Sequence, residues 1–132
     1  MKTKTITTFT ATVTLGLEIG YSEELYKKEY LTKTLQQYQK QRIAEANIYL
    51  SASISECTIV LAGQVEKHVK LGFINYPKFP LDVEVFKKEI IKMGAHLLEK
   101  LEQNRTVIVF TDETVMLEID EAVDPRIKKS NE

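Results

Sequence analysis

Four side chains on one short stretch have types that bind and orient small molecules. Residues 72–80 read Gly-Phe-Ile-Asn-Tyr-Pro-Lys-Phe-Pro. Tyr76 and Phe79 are faces on which a planar ring can stack, and Lys78 is a cation for a phosphate or carboxylate. Asn75 can donate and accept at once. Pro77 and Pro80 stiffen the stretch, and a long helical pattern follows immediately. The same composition also suits a rigid strand-to-helix joint whose rings close the edge of a core. The isomeric state of the Tyr76–Pro77 and Phe79–Pro80 bonds is open at this level.

Other candidates are more scattered. Asp112 and Glu113 interrupt a β-rich run and could serve a cation or acid–base chemistry, although neighbours in an extended chain point apart. A polar turn is the plainer account of them. Arg105, at the start of a predicted strand, could clamp a phosphate or simply form a surface ion pair; Arg42 is a similar case. His68 and His96 lie in different elements without a second ligand at metal spacing, so no metal site is expected. Cys57 is the only cysteine. It excludes an internal disulfide, and it reads as an ordinary thiol in a reducing, cytoplasmic setting. No phosphate loop, Ser-His-Asp order or zinc-protease motif occurs, and no cofactor is expected.

The elements that must hold these residues follow from periodicity. Residues 8–21 alternate: Phe9, Ala11, Val13, Leu15, Leu17, Ile19 and Tyr21 on one side, mostly threonines and glycines on the other. This is long for a strand, and Gly16 or Gly20 can end it early. Ser22 offers a helix cap, and a helix is expected over 23–46, firmest from about residue 30. Residues 48–61 alternate again, with a phase slip near Glu56 and Cys57 that predicts a bulge. A reversal over 62–67 leads to a strand over 68–76. Asp82 caps the clearest helix, whose stripe is Val83, Phe86, Ile90, Met93, Leu97, Leu98 and Leu101, with Asn104 as a left-handed stop. Residues 105–111 form a strand and 114–119 a short extra one. Residues 1–120 read as one domain and 121–132 as a charged, mobile tail.

The order is β-α-β-β-α-β plus a short strand. It predicts a ferredoxin-like α+β sandwich: a four-stranded antiparallel sheet, two helices on one face, and an extra C-terminal strand. Phe9, Val13, Leu17, Leu50, Ile54, Leu71 and Phe73 would meet the helices. The other face would carry Thr8, Thr10, Thr12, Thr14, Ser51, Ser53, Ser55, Gly72, Ile74 and Tyr76. Solvated sheet faces usually carry Lys and Glu. A hydroxyl-rich face fits packing against a second copy, or a floor for a polar small molecule, or plain β-propensity.

Residues 10–21, 72–80 and 111–118 together resemble three signatures of a set of small uncharacterised proteins of bacterial and phage genomes. That resemblance runs through most of the chain in order and implies no activity. The topology is also similar to that of PII-like signalling proteins, which bind nucleotides between subunits; none of their motifs is present, so only the architecture is implied.

With 18 basic and 19 acidic residues the net charge is −1, which gives no support to broad nucleic-acid or membrane binding. The N-terminus shows no signal-peptide pattern, and no apolar run approaches the length of a membrane span. The leading expectation is a non-enzymatic homo-oligomer, paired through the hydroxyl-rich face. It would bind a small anionic ligand such as a nucleotide through Tyr76, Lys78, Phe79, Asn75, Arg105, Thr12 and Thr14, as a sponge for a signal if phage-encoded. The alternatives are a small enzyme using Asp112 or Glu113 with Tyr76 or Lys78, and a protein-interaction module.

Overall fold

The computed structural model describes residues 1–19, 22 and 24–121. Seven elements follow in order: β1 (Thr10–Gly16), α1 (Lys28–Ala46), β2 (Ser53–Leu61), β3 (Gln64–Ile74), α2 (Val83–Lys100), β4 (Arg105–Phe110) and β5 (Thr114–Glu118). The sheet has five strands in the order β2-β3-β1-β4-β5, and every neighbouring pair is antiparallel. This is the expected ferredoxin-like α+β arrangement, with the extra strand added beside β4. The expected tail over 121–132 lies, beyond residue 121, outside the described residues.

One face of the sheet is the core. Ala11, Val13, Leu15, Val69, Leu71, Phe73, Ile108 and Phe110 are buried there, against Leu31, Leu35 and Tyr38 of α1 and Phe86, Ile90, Met93 and Leu97 of α2. Full burial of each such side chain is worth about 1.5–3 kcal/mol, so the two stripes are what hold the helices to one face. Asp82 caps α2 as its sequence predicts, accepting from the Glu84 N–H at 3.0 Å.

Several local expectations are corrected. Strand β1 ends at Gly16. There the side chain of Gln103 lies where a Cβ would sit, because its amide donates to the carbonyls of Glu18 and Leu101. Among the described residues of the next stretch, 17–18 and 24–27 are extended rather than helical: Glu18 bridges Leu25, and the Tyr26 N–H donates to the Leu17 carbonyl. Tyr26 is drawn there by a hydroxyl bond to Glu102 and a stack on Tyr30. The Ser22 hydroxyl donates to the Ile19 carbonyl instead of capping a helix, and α1 starts at Lys28 without a side-chain cap.

Strand β2 has no bulge. Its register with β3 is continuous from Ser53↔Gly72 to Leu61↔Gln64 across an Ala62-Gly63 turn, with Ala62 at φ 51°. The apparent phase slip arises because Ile59 and Leu61 lie on the non-helical face, while Val60 and Val65 are exposed on the other, near the hairpin tip. Helix α2 is stopped by Glu102 in the left-handed region, not by Asn104. Asn104 instead braces the end of β5, accepting from the Asp120 N–H and donating to its carbonyl.

Candidate functional site

The proline corner is a joint fastened by Asn75. Its side chain donates to the Leu81 carbonyl at 2.8 Å and accepts from the Leu81 N–H at 2.9 Å, while its own N–H donates to the Phe9 carbonyl. Each end of this amide makes one internal bond, so Asn75 shapes the corner. The peptide bonds before Pro77 and Pro80 are trans. Phe79 stacks on Tyr49 with ring centroids 5.0 Å apart and on Tyr76 at 6.2 Å. The result is a three-ring stack, each ring partly exposed, standing at one end of the sheet. Tyr49 was not singled out by sequence because it precedes β2 by four residues and meets Phe79 only through the fold.

Below the stack is a depression of about 530 Å³ on the helix-free face. Thr10, Thr12, Ser51 and Ser53 line it with hydroxyls, Gly72 and Ile74 contribute its β3 side, and Tyr76 borders it. Thr12, Gly72 and Ser53 are aligned across three strands, which is why β1, β3 and β2 build one surface. A Cβ on Gly72 would stand 2.6 Å from Ser53 Oγ. Among the described residues no carboxylate, imidazole, amine or guanidinium lines this depression. Phe79 backs Tyr76, Lys78 is exposed on the corner outside the lining, and Thr14 lies one pair further along, beside Lys70.

The helix-free face has two halves. The threonine, serine and glycine side belongs to β1, β2 and β3. On β4 and β5 the same face carries Val107, Val109 and Met116, which are 38%, 48% and 55% exposed. The expected face, mostly hydroxyl and drawn from β1 to β3, thus extends into an apolar half, because register puts these residues beside Thr14 and Thr12. Lys70, with Thr14 on one side and Ser55 on the other, also belongs to it.

The remaining candidates are engaged elsewhere. Arg105 bonds Glu118 across the β4–β5 pair and reaches the Asp120 carbonyl at 3.5 Å. It stands at the opposite end of β4 from Phe110, roughly 16 Å away at strand spacing, so it does not join the corner. Arg42 holds the nearly buried Glu89 through two bonds of 2.7 and 3.0 Å. The Asp112 and Glu113 carboxylates converge after all, both accepting from Lys87 Nζ at 2.9 Å. Those bonds, Asp112 first, raise the Lys87 ammonium above its usual pKa; the cation also lies 5.5 Å from the Phe110 ring centre. Among the described residues no hydrogen bond links either carboxylate to Tyr76 or Lys78, so that catalytic grouping does not assemble.

A second cavity, of about 280 Å³, lies near the far end of β3, with Tyr26, Cys57, Lys67 and His68 in its lining. His68 Nε2 is 3.0 Å from Glu66 Oε2, and its Nδ1 is buried without a partner. Sequence reading separated His68 from any carboxylate. The signal was present nonetheless, since residues i and i+2 of a strand share a face.

Together these features define a class: a split-βαβ domain whose free sheet face combines a hydroxyl-lined depression with an adjoining apolar strip. No family model matches the chain, and no curated protein does. Two solved structures share its fold. One is a phage SAM lyase in the apo state, with a TM-score of 0.69 and 19% identity over 87% of this chain and 92% of that one. The other is a phage SAM lyase in complex with S-methyl-5'-thioadenosine, with a TM-score of 0.70 and 18% identity over 93% and 98%. At that identity the likeness establishes the fold. Among the described residues no helix is long and apolar enough to cross a membrane.

Proposed function

We propose that this chain is a homo-oligomeric binding protein for 5'-sulfur-substituted adenosines, the class that includes the sulfonium S-adenosylmethionine and the thioether S-methyl-5'-thioadenosine. The observation that carries this reading is the depression itself: hydroxyls on its floor, an aromatic at its border and, among the described residues, no ionisable cation or carboxylate in its lining. Such a surface suits a ribose and a stacked base. It suits a polyphosphate poorly, because among the described residues no cation stands in its lining and the one ammonium in the adjoining row is Lys70. The expected ligand therefore shifts from a nucleotide-like anion to a nucleoside. The shared fold with a phage SAM lyase in complex with S-methyl-5'-thioadenosine supports the same choice. The apolar strip of Val107, Val109 and Met116 supports a second copy packed beside the depression.

Binding without cleavage would make the protein a cytoplasmic sponge for such molecules. Cleavage is the second reading, favoured by the fold likeness to a lyase. Its acid–base pair would be Glu66 and His68, which share the helix-free face with Gly72 further along β3. Calorimetry with S-methyl-5'-thioadenosine, S-adenosylmethionine and ATP tests the reading, with mass-resolved sedimentation for the oligomer. The two sulfur-bearing adenosines should bind and ATP should not. A folded protein that ignores both of them, or that sediments as a monomer with and without them, refutes it. Chromatography after incubation with S-adenosylmethionine separates sponge from lyase.

A further inference from the structure

Lys70 is an exposed cation on the helix-free face, whose other charged side chains on the strands, Glu66, Arg105 and Glu118, engage His68 or one another. Its register partners are Thr14 on β1 and Ser55 on β2, and Val107 lies beyond Thr14. The other guanidinium or ammonium on the strands of this face is Arg105, and it is bonded to Glu118. Among the described residues Lys70 makes no ion pair. Unpaired lysines are ordinary on a solvated surface. Here, however, the flanking positions are a hydroxyl on each side, and the adjoining row is Ser53, Gly72 and Thr12, the floor of the depression.

Spacing along β3 gives this cation a role. Ile74, Gly72 and Lys70 lie on the same face at intervals of roughly 6.6 Å. With a base against Tyr76 and Ile74 and its ribose over Gly72, the Tyr49–Phe79–Tyr76 stack closes the corner end, and the next same-face position along β3, within reach of a 5' substituent, is Lys70. We infer that Lys70, flanked by Thr14 and Ser55, binds the carboxylate of an amino-acid arm on the ligand's 5' sulfur and so sets the preference for armed over truncated thioethers. One ammonium with two hydroxyls matches a singly charged carboxylate. A phosphate dianion is more often met by a guanidinium fork or a nest of backbone N–H groups, neither of which adjoins Lys70.

This inference rests on the reading of the ligand as a 5'-sulfur-substituted adenosine, and the test keeps the two apart. Calorimetry compares S-adenosylhomocysteine, which carries the arm and a neutral sulfur, with S-methyl-5'-thioadenosine, which lacks the arm, and with 5'-AMP. The proteins are the wild type, Lys70→Gln and Lys70→Arg. The wild type should bind the armed ligand about tenfold or more tightly than the armless one, the usual scale for a charge-assisted hydrogen bond. Lys70→Gln should bring that ratio close to one, Lys70→Arg should restore part of it, and 5'-AMP should stay weak. An unchanged ratio in Lys70→Gln, with the armless ligand still bound, overturns the role of Lys70 and spares the nucleoside reading. Tight 5'-AMP binding lost in Lys70→Gln identifies a phosphate site and overturns the carboxylate assignment. Binding of neither thioether by the wild type removes both.

Discussion

Gly72→Val separates the stability of the sheet from the use of its free face. Gly72 pairs with Thr12 and Ser53 in mid-sheet, where a glycine costs about 0.5–1 kcal/mol relative to alanine and a β-branched residue is favoured. The new Cβ would meet Ser53 Oγ at 2.6 Å. That atom ends a short side chain, and what holds it is a 3.4 Å bond to the Gly72 carbonyl, near the limit of useful strength. Rotation of Ser53 relieves the contact at little expense. The net expectation is a stability change between zero and a gain of about 1 kcal/mol. The added carbons project into the depression where the ribose is placed. Displacing the ligand there should weaken S-methyl-5'-thioadenosine binding at least tenfold, equivalent to about 1.4 kcal/mol. Urea unfolding reports the first quantity and calorimetry the second. Wild-type affinity in a folded Gly72→Val protein would refute the placement of the ligand. A loss of stability above about 2 kcal/mol would instead show that Ser53 cannot yield.

Two further predictions concern the scaffold. Asn75→Ala removes both bonds to Leu81 and should lower stability by about 1–3 kcal/mol, read as a shift in urea midpoint with an unchanged slope; a shift inside the ordinary surface scatter of about 0.5 kcal/mol would show the corner holds without it. His96 packs 4.8 Å from the Tyr38 ring, and burial, followed by Lys100, holds its pKa below the usual 6.5. The unfolded chain therefore takes up a proton first. Stability is full above pH 6.5, falls as the pH drops below it, and levels once the folded imidazole also protonates. Urea midpoints at about pH 7.5 and about pH 5.5 should differ less in His96→Gln than in the wild type; an equal difference in both would assign the acid sensitivity to other groups.

Much of the architecture was legible because its signals are local. The alternation of Phe9 to Leu15, the stripe from Phe86 to Leu101 and the Asp82 cap each depend on neighbours a few residues away, and each appears where periodicity predicts. The misread segments are those where distant contacts prevail. Tyr26 is held extended by Glu102, from the end of α2, against the helical potential of its own stretch. Ile59 and Leu61 mimic a phase slip because the hairpin tip exposes apolar residues on both faces.

The candidate site divides in the same way. Tyr76 and Phe79 stand out by residue type, and Thr12 by face as well, since alternation alone tells which side of a strand a residue occupies. Asn75 and Arg105 carry suitable groups, yet their partners, Leu81 and Glu118, use those groups internally. Asp112 and Glu113 meet on Lys87 of α2, a pairing with no trace in the spacing of the three residues.

The sequence by itself determined the order of elements, the core face and the hydroxyl character of β1 to β3, because strand and helix periods are properties of consecutive residues. Tertiary structure alone decided which charges are free and which are bound. It set Val107 and Met116 beside Thr14, brought Tyr49 to Phe79, and put Lys70 one row from Gly72 between two hydroxyls. The physical reason is that availability for a ligand depends on what else lies within a few ångströms, and only strand register and helix docking specify that.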